Sequence, residues 1–241
     1  MWECGRVRPV LRSLWLSYLA AERNGYRPGL LTALSELLAA VASVEDRDEL
    51  AQVAFRAQER HGWDMRLREP LRAQVLRPYV REHVSEPQVI WWAIQTREHE
   101  PLGMHGRHDR FGGHAVIGAI TYALALTGEP RWWRMLLGYR LSWVDYGTHH
   151  LDEGRGVVDG TVADYVLQLC AAVAITNQAP AGVIGAEQRD ELAEMWSLLR
   201  DWVRYDAVGR PGDDFPRWCR EQGSDHWVAN HTTTRHYYYQ A

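Results

Sequence analysis

The spacing of apolar residues is the feature that most constrains the fold of this chain. Apolar side chains recur every three or four positions through most of the sequence, whereas the alternation typical of a strand is sustained almost nowhere. The sequence therefore predicts an all-α fold with about nine helices and no significant sheet. We expect a single-domain multi-helix bundle or an array of αα-hairpins over 1–206. The remaining segment, 207–241, is predicted to be irregular apart from a short helical turn around 216–222 and, if ordered, would cover the central loops.

Local signals set the predicted helix boundaries. Gly25 is a typical C-terminal stop, and the segment 127–130, which contains a glycine and a proline, predicts a short break between two helices. The segment 46–49 has the pattern of a capping box, which would begin a helix near Asp46. Pro78 is predicted to kink or shorten the helix around it, because proline lacks a backbone N–H.

Composition and charge exclude several classes of function. A formal net charge of -4 provides no general attraction for nucleic acid. No run of 18 apolar residues occurs, so no membrane span is predicted. The three cysteines form no CxxC pair, which favours a reducing, cytoplasmic location over a disulfide framework. All 27 basic side chains are arginine, so mechanisms that need a lysine, such as Schiff-base catalysis, are excluded.

Histidines cluster in two polar, glycine-rich segments that we predict to be loops. Six of the 11 histidines lie in or beside the segments 97–113 and 147–160. The two helices predicted between these loops are joined by the short break at 127–130 and should form an antiparallel hairpin. Both loops would then lie at the same end of the bundle, where they could form a joint pocket.

The joint pocket would combine imidazole and carboxylate groups, which suit a divalent metal or an acid–base pair. The candidate metal ligands are His105, His108, His149 and His150, and the candidate catalytic residues are Asp109, Glu153 and Asp159. A divalent metal is the cofactor this set would hold. The alternative is that these side chains are solvated, with Asp109 and Glu153 forming surface ion pairs with neighbouring arginines.

Two local patterns resemble known families. His108-Asp109, with His149-His150 and later Asp164, resembles the ligand order of HD-type phosphohydrolases, which are all-α and bind a divalent metal. This resemblance implies that His83 or His105 is the upstream histidine ligand and Asp164 the distal carboxylate. The stretch 122–133 is similar to helical hairpins of (α/α) toroid enzymes that act on sugars.

The sequence leaves two functional interpretations open. The first is an enzyme acting on a small molecule, either a metal-dependent hydrolase or an acid–base enzyme. The second is a helical-repeat interaction module whose tryptophans and arginines line a groove for a protein partner. The 12 tryptophans fit either aromatic stacking on a ligand or core packing. A third polar-aromatic patch lies at 223–227, in a segment that the sequence predicts to be a mobile tail. Nothing in the sequence sets the oligomeric state.

Overall fold

The computed structural model describes residues 8–25, 27–62, 67–96, 98 and 112–229. Of these residues 77% are helical, and none lies in a strand. The prediction of an all-α, multi-helix fold is therefore confirmed. No helix within the described ranges is both long enough and apolar enough to cross a membrane.

The chain divides into two compact units, 1–119 and 120–241, which we call unit 1 and unit 2 and describe separately. The point of division lies within α7. The helices up to that point are α1 (Pro9–Asn24), α2 (Arg27–Ala39), α3 (Val44–His61), α4 (Glu69–Leu71), α5 (Arg77–Glu82), α6 (Pro87–Gln95) and α7 (Gly112–Thr127). Those that follow are α8 (Pro130–Thr148), α9 (Val162–Gln178), α10 (Ala186–Ala207) and α11 (Phe215–Glu221), with short 3₁₀ turns at Leu151–Glu153 and Pro211–Asp213.

Buried aromatic side chains hold unit 1 together. Helix α1 packs against α2 and buries Trp15 and Tyr18, whose ring centroids are 5.5 Å apart. Phe55 of α3 stacks on Trp92 of α6 with a centroid distance of 5.2 Å. Such pairs add about 0.5–1.5 kcal/mol beyond the burial of apolar area. The contact between Phe55 and Trp92, 37 positions apart in sequence, therefore joins α3 to α6 in this core.

Helix α3 begins earlier than the sequence predicts. Its N-cap is Ser43, whose Oγ accepts a hydrogen bond of 3.1 Å from the backbone N–H of Asp46. The capping box predicted at 46–49 is therefore wrong. The buried carboxylate of Asp46 instead accepts a hydrogen bond from the backbone N–H of Ala42 and pairs with Arg8 at 2.5 Å. Asp46 does not cap the helix because its carboxylate contacts Arg8, which is distant in sequence, and a local capping pattern cannot show such a contact.

Pro78 produces a widened helical turn, consistent with the predicted disturbance. Residues Arg72–Leu76 form a π-helical turn, in which the backbone N–H of Arg77 donates to the carbonyl of Arg72. Pro78 then occupies the first turn of α5, where a missing N–H costs little. The π turn accommodates the proline ring without ending the helical path.

An aromatic cluster forms the core of unit 2. Phe215 of α11 lies 5.0 Å from Trp202 and 5.1 Å from Tyr205 of α10, measured between ring centroids, and Trp218 packs beside them. Val228 and Ala229 are fully buried against this cluster. The described part of the segment predicted to be irregular, 207–229, thus contains a helix and contributes to a core.

The turn between α8 and α9 depends on one close approach of a glycine to a tyrosine. The Tyr165 ring of α9 lies directly over Gly147, so that a Cβ added at Gly147 would overlap the ring. The hydroxyl of Tyr165 donates a hydrogen bond to the carbonyl of Val158, and the backbone N–H of Val158 donates to the carbonyl of Gly147 at 2.9 Å. Only glycine at position 147 leaves room for this arrangement.

We predict that Gly147→Ala destabilises the protein by about 1–3 kcal/mol, because the buried Tyr165 ring must move and lose its hydrogen bond. Gly138→Ala is the matched control. Gly138 lies in the same helix, and a Cβ there would have no atom within 4 Å, so alanine should be neutral or stabilising by up to about 1 kcal/mol. Urea unfolding followed by circular dichroism measures both, and equal stability of the two variants would contradict the proposed packing.

Candidate functional site

The segment 147–160, the second of the predicted loops, is a compact turn after α8. Besides the contacts of Gly147 and Val158, the hydroxyl of Tyr146 lies 3.2 Å from an oxygen of Asp159 and donates a hydrogen bond to it. Asp159 has a positive φ of 56°, which aspartate tolerates better than most residues. This hydrogen bond places the predicted catalytic residue Asp159 beside the end of α8.

Three predicted site residues meet within this turn. The ring centroids of His149 and His150 are 3.9 Å apart, and Nδ1 of His150 lies 3.3 Å from Oε1 of Glu153. The other oxygen of Glu153 forms an ion pair with Nε of Arg155 at 2.8 Å. The structure therefore brings two imidazoles and a carboxylate together, and it also forms the surface ion pair that the alternative interpretation expects.

The other half of the predicted pocket lies outside the described residues. This applies to His105, His108 and Asp109, and to most of the segment 97–113. Glu98, the described residue near its start, is buried and pairs with Arg72 and with Arg77, the latter at 3.0 Å. The joint pocket between the two segments stays a prediction.

Asp164, the distal carboxylate implied by the resemblance to HD-type phosphohydrolases, caps a helix. Its Oδ2 accepts hydrogen bonds from the backbone N–H and the hydroxyl of Thr161, at 2.7 and 2.8 Å. The Thr161 side chain in turn accepts a bond from the backbone N–H of Asp164, which completes a capping box at the start of α9. These hydrogen bonds lower the pKa of Asp164 and explain its position without a metal.

An acidic pocket lies beside α10 in unit 2. It is an open concavity of about 960 Å³, within the range of small-molecule sites. Its polar lining comes from one face of α10 and from the chain after α11: Glu187, Asp190, Glu191, Glu194, Ser197, Asp225 and His226. Residues spaced by three and four positions share a helix face, so the sequence of α10 places its carboxylates in one row.

The surroundings of Glu191 in this pocket shift the pKa of its carboxylate. Partial desolvation raises its pKa above the ordinary value, and the negative charges of Asp145, Glu187 and Glu194 raise it further. A carboxylate in such surroundings retains its proton to higher pH than an isolated one. The pocket is therefore a region of negative potential that favours either a bound proton or a bound cation.

A buried hydrogen-bond network supports the wall of the pocket. The carboxylate of Asp201, on α10, accepts a hydrogen bond of 2.5 Å from Ser224 and lies 3.4 Å from Nε2 of His226. Asp201 and His226 are each 1% exposed. The backbone N–H of Trp227 donates to Glu194 at 2.8 Å, which attaches the same segment to α10 a second time. Residues 224–229 are thus held against α10 by side chains from both.

Protonation of this network differs from that of free side chains. Burial lowers the pKa of His226, although the nearby Asp201 partly offsets the effect. Burial alone would raise the pKa of Asp201, but hydrogen bonds from Ser224 and Arg200 and the charge of Arg200 outweigh it and lower the pKa. At neutral pH the network therefore consists of an ionised Asp201 beside a neutral His226.

Sequence reasoning missed the acidic pocket, although part of the signal was present. Glu187, Asp190, Glu191 and Glu194 follow the helical period and could have been recognised as an acidic stripe. For Asp225 and His226 the sequence instead predicts a mobile tail. Their contribution depends on contacts across 23–33 positions of sequence, which no local pattern contains.

A second polar cluster lies in unit 1, between α3 and α5. Asp48, Glu82 and His83 each offer one ligand atom, and these atoms lie within 4.8 Å of one another. Arg47 donates hydrogen bonds to both carboxylates, at 2.8 Å to Asp48. Burial opposes the charged form of His83, but its hydrogen bonds to Glu86 and Asp48 outweigh this and raise the pKa. Among the described residues, this is the group whose geometry suits a metal ion.

Comparison with known proteins finds no family model, curated protein or solved structure that matches the chain.

We predict that unit 2 loses stability as the pH falls through about 6.5, because the unfolded chain protonates His226 more readily than the folded one. A group with a lowered folded pKa favours the native state above its unfolded pKa and penalises it below. Because at most one proton is involved, the free energy of unfolding changes by at most about 1.4 kcal/mol per pH unit. The free energy of unfolding, measured in urea between about pH 7.5 and 5.5, should depend less steeply on pH in His226→Gln.

The control for this measurement is His61→Gln, at an exposed histidine of α3. Its pH dependence should match that of the unsubstituted protein. If His226→Gln shows the same pH dependence as well, a neutral, buried His226 is the wrong description.

Proposed function

We propose that the protein is a small-molecule enzyme whose substrate carries several amine groups and lies in the acidic pocket beside α10. The observation that supports this proposal is the convergence of five carboxylates and the buried His226 on one concavity. Ammonium groups would neutralise these carboxylates and relieve the like-charge repulsion that, together with the larger effect of desolvation, raises the pKa of Glu191. A neutral or anionic substrate would gain nothing from the same surface.

The spacing of the carboxylates favours an elongated substrate. Glu187 and Glu194 are seven residues apart on α10, which corresponds to about 10 Å along the helix axis. Successive carboxylates on one helix face are about 5–6 Å apart, similar to the separation of nitrogens in a linear polyamine. A triamine could therefore form an ion pair at each of two or three turns of α10.

The pocket is less suited to a metal ion than to an organic cation. Among the described residues, the group of three or more potential ligands with metal-like separation lies in unit 1 rather than in this pocket. The carboxylates of α10 do not form such a group. The metal-dependent hydrolase that the sequence predicts for the segments 97–113 and 147–160 remains a separate proposal, centred on His105, His108, His149 and His150.

Glu191 is the residue we propose for proton transfer. A general acid or base works best when its pKa is near the working pH, and desolvation, the largest cause of the shift, moves the pKa of Glu191 in that direction. An amine substrate supplies a proton that such a carboxylate could accept or return. Glu187 and Asp190 would then position the substrate by charge.

The alternative proposal, an interaction module with a tryptophan-lined groove, has less support. Every described tryptophan is buried or half-buried, and Trp15, Trp132 and Trp202 are each at most 2% exposed. Such side chains contribute to the interior and leave little aromatic surface for a partner. The acidic row on α10 could still dock a basic peptide, and the binding experiment below includes this possibility.

We also propose a cytoplasmic location. Cys170 and Cys219 are free thiols, and burial raises the pKa of Cys219 to about 12. A buried thiol with so high a pKa is unreactive and needs no oxidising compartment.

We predict that a linear triamine such as spermidine binds the protein more tightly than a monoamine does, with an affinity that falls as salt is added. Isothermal titration calorimetry measures both. Glu187→Gln and Glu191→Gln should each weaken triamine binding by about two- to fivefold, since each removes one ion pair from a solvent-accessible site. Asp206→Asn is the matched control, because Asp206 lies on the same helix but pairs with Arg210 at 2.7 Å.

The results distinguish three situations. Equal binding by all variants would place the amine elsewhere on the protein. Selective binding without any change in the amine, followed by nuclear magnetic resonance, would indicate a binding protein and contradict catalysis. Tighter binding of an arginine-rich peptide than of the triamine would favour the interaction module.

We predict that Glu191→Gln raises the free energy of unfolding at neutral pH by up to about 0.5 kcal/mol. The amide removes like-charge repulsion with Glu187 and Glu194, and solvent limits the gain at an accessible position. Asp206→Asn should have the opposite sign, because it breaks the ion pair with Arg210. Urea unfolding of both variants tests the difference, and a less stable Glu191→Gln would contradict electrostatic repulsion in the pocket.

A further inference from the structure

We propose that unit 1 binds one divalent transition-metal ion, with the ligand preference of Zn²⁺, through Asp48, Glu82 and His83. This site is independent of the acidic pocket and of the histidine-rich segments on which the sequence prediction rests. It joins α3, which supplies Asp48, to the end of α5 and the residue after it, which supply Glu82 and His83.

The donor atoms already have separations that suit a shared metal ion. Nε2 of His83 lies 3.2 Å from Oδ2 of Asp48. In tetrahedral zinc sites, nitrogen and oxygen ligands lie about 2.0–2.2 Å from the metal, which places neighbouring ligands slightly more than 3 Å apart. The three ligand atoms all lie within 4.8 Å of one another, so small side-chain rotations would bring them to that geometry.

The surroundings of His83 orient it as a metal ligand. Its other ring nitrogen, Nδ1, lies 2.7 Å from Oε1 of Glu86. A carboxylate that accepts a hydrogen bond from the non-ligating nitrogen of a histidine fixes its tautomer and its ring orientation, and is a common partner of zinc-binding histidines. The ring also packs on Tyr79 with a centroid distance of 4.5 Å, which restricts its rotation.

Arg47 fixes the two carboxylates in the same way. Its guanidinium donates to Oδ1 of Asp48 and to both oxygens of Glu82, with Nη1 at 2.9 Å from Oε1. Oδ2 of Asp48, the oxygen that faces His83, is not the one that Arg47 contacts. Each carboxylate oxygen has two lone pairs, so a hydrogen bond from Arg47 leaves room for a metal. Arg47 therefore orients the ligands without displacing the ion.

The charge of the cluster matches a divalent ion. A histidine that binds a metal is neutral, so the cluster then contains the carboxylates of Asp48, Glu82 and Glu86 and the single positive charge of Arg47. Three negative charges and one positive charge leave two negative charges, which a divalent cation neutralises. One nitrogen and two oxygen donors suit Zn²⁺ better than Mg²⁺ or Ca²⁺, which prefer oxygen alone.

The site leaves a coordination position open to solvent. Three protein ligands are one fewer than a closed structural zinc site uses. The side chain of Glu82 is 49% exposed and that of His83 is 31% exposed, so water can reach the ion. The ligand class that the site would accept beside the metal is water or a small anion.

Zinc titration of the full chain, freed of metals with a chelator, tests the proposal. A competing chromophoric chelator reports affinity and stoichiometry, and we expect one ion of micromolar or tighter affinity. Asp48→Asn and His83→Ala should each weaken binding by about a hundredfold. Glu86→Gln keeps all three ligands and should weaken binding by about tenfold, as loss of a positioning carboxylate does.

The double variant His108→Ala/His149→Ala is the control, because it removes the histidines of the sequence-predicted site and leaves Asp48, Glu82 and His83 intact. It should bind zinc as the unsubstituted protein does. Loss of zinc in this variant, with binding retained in His83→Ala, would overturn the proposal, as would the absence of binding or equal binding by all variants.

Cobalt substitution provides a second measurement that does not depend on the stability of the variants. Co²⁺ in a site with one nitrogen and two oxygen donors should show visible absorption typical of four or five ligands. An intense near-ultraviolet band from a thiolate ligand would instead assign the ion to a cysteine such as Cys170 and overturn the proposal. Circular dichroism of each variant establishes that the helices remain folded when binding is lost.

Discussion

The buried carboxylate of Asp201 is the constraint on which the arrangement of unit 2 depends. An ionised carboxylate removed from water costs several kcal/mol unless hydrogen bonds and charges replace its hydration. Ser224 and His226 supply part of this replacement, and Arg200 and Arg204 of the same helix add ion pairs. Because two of these partners follow α11, the need to satisfy Asp201 returns the chain to α10. The pocket acquires Asp225 and His226 as a consequence.

The two faces of α10 have different roles: one packs in the core of unit 2, and the other lines the acidic pocket. Its buried residues include Leu198, Trp202 and Tyr205, which pack in the aromatic core. The acidic row that begins at Glu187 lies on the pocket side, where partial desolvation and, less strongly, repulsion between like charges raise the pKa of Glu191. A short isolated helix could not tolerate this repulsion easily, but tertiary packing of the apolar face compensates for it. Sites that break local rules in this way are where function is expected.

The all-helical fold could be predicted from the sequence, because apolar periodicity is a local property and most of the helices are long. Gly25 ends α1 in the left-handed conformation, and α8 begins at Pro130, as the local signals indicate. Contacts between distant residues could not be predicted in the same way. Asp46 looks like a helix cap in sequence, yet its carboxylate pairs with Arg8, 38 positions away. The resemblance to HD-type phosphohydrolases names His83 as a possible ligand, but its partner Asp48 is 35 positions away and no sequence pattern joins the two.

The two described histidines that contact distant carboxylates show why residue type alone does not assign a role. His226 is fully buried, and the carboxylate beside it is shared with Ser224 and Arg200, so desolvation dominates and lowers its pKa. His83 is accessible and has a carboxylate at each ring nitrogen, so the hydrogen bonds dominate and raise its pKa. The first arrangement holds a neutral ring in place as a structural support. The second concentrates negative charge around a nitrogen that water can reach, which is the condition under which a proton can be replaced by a metal ion.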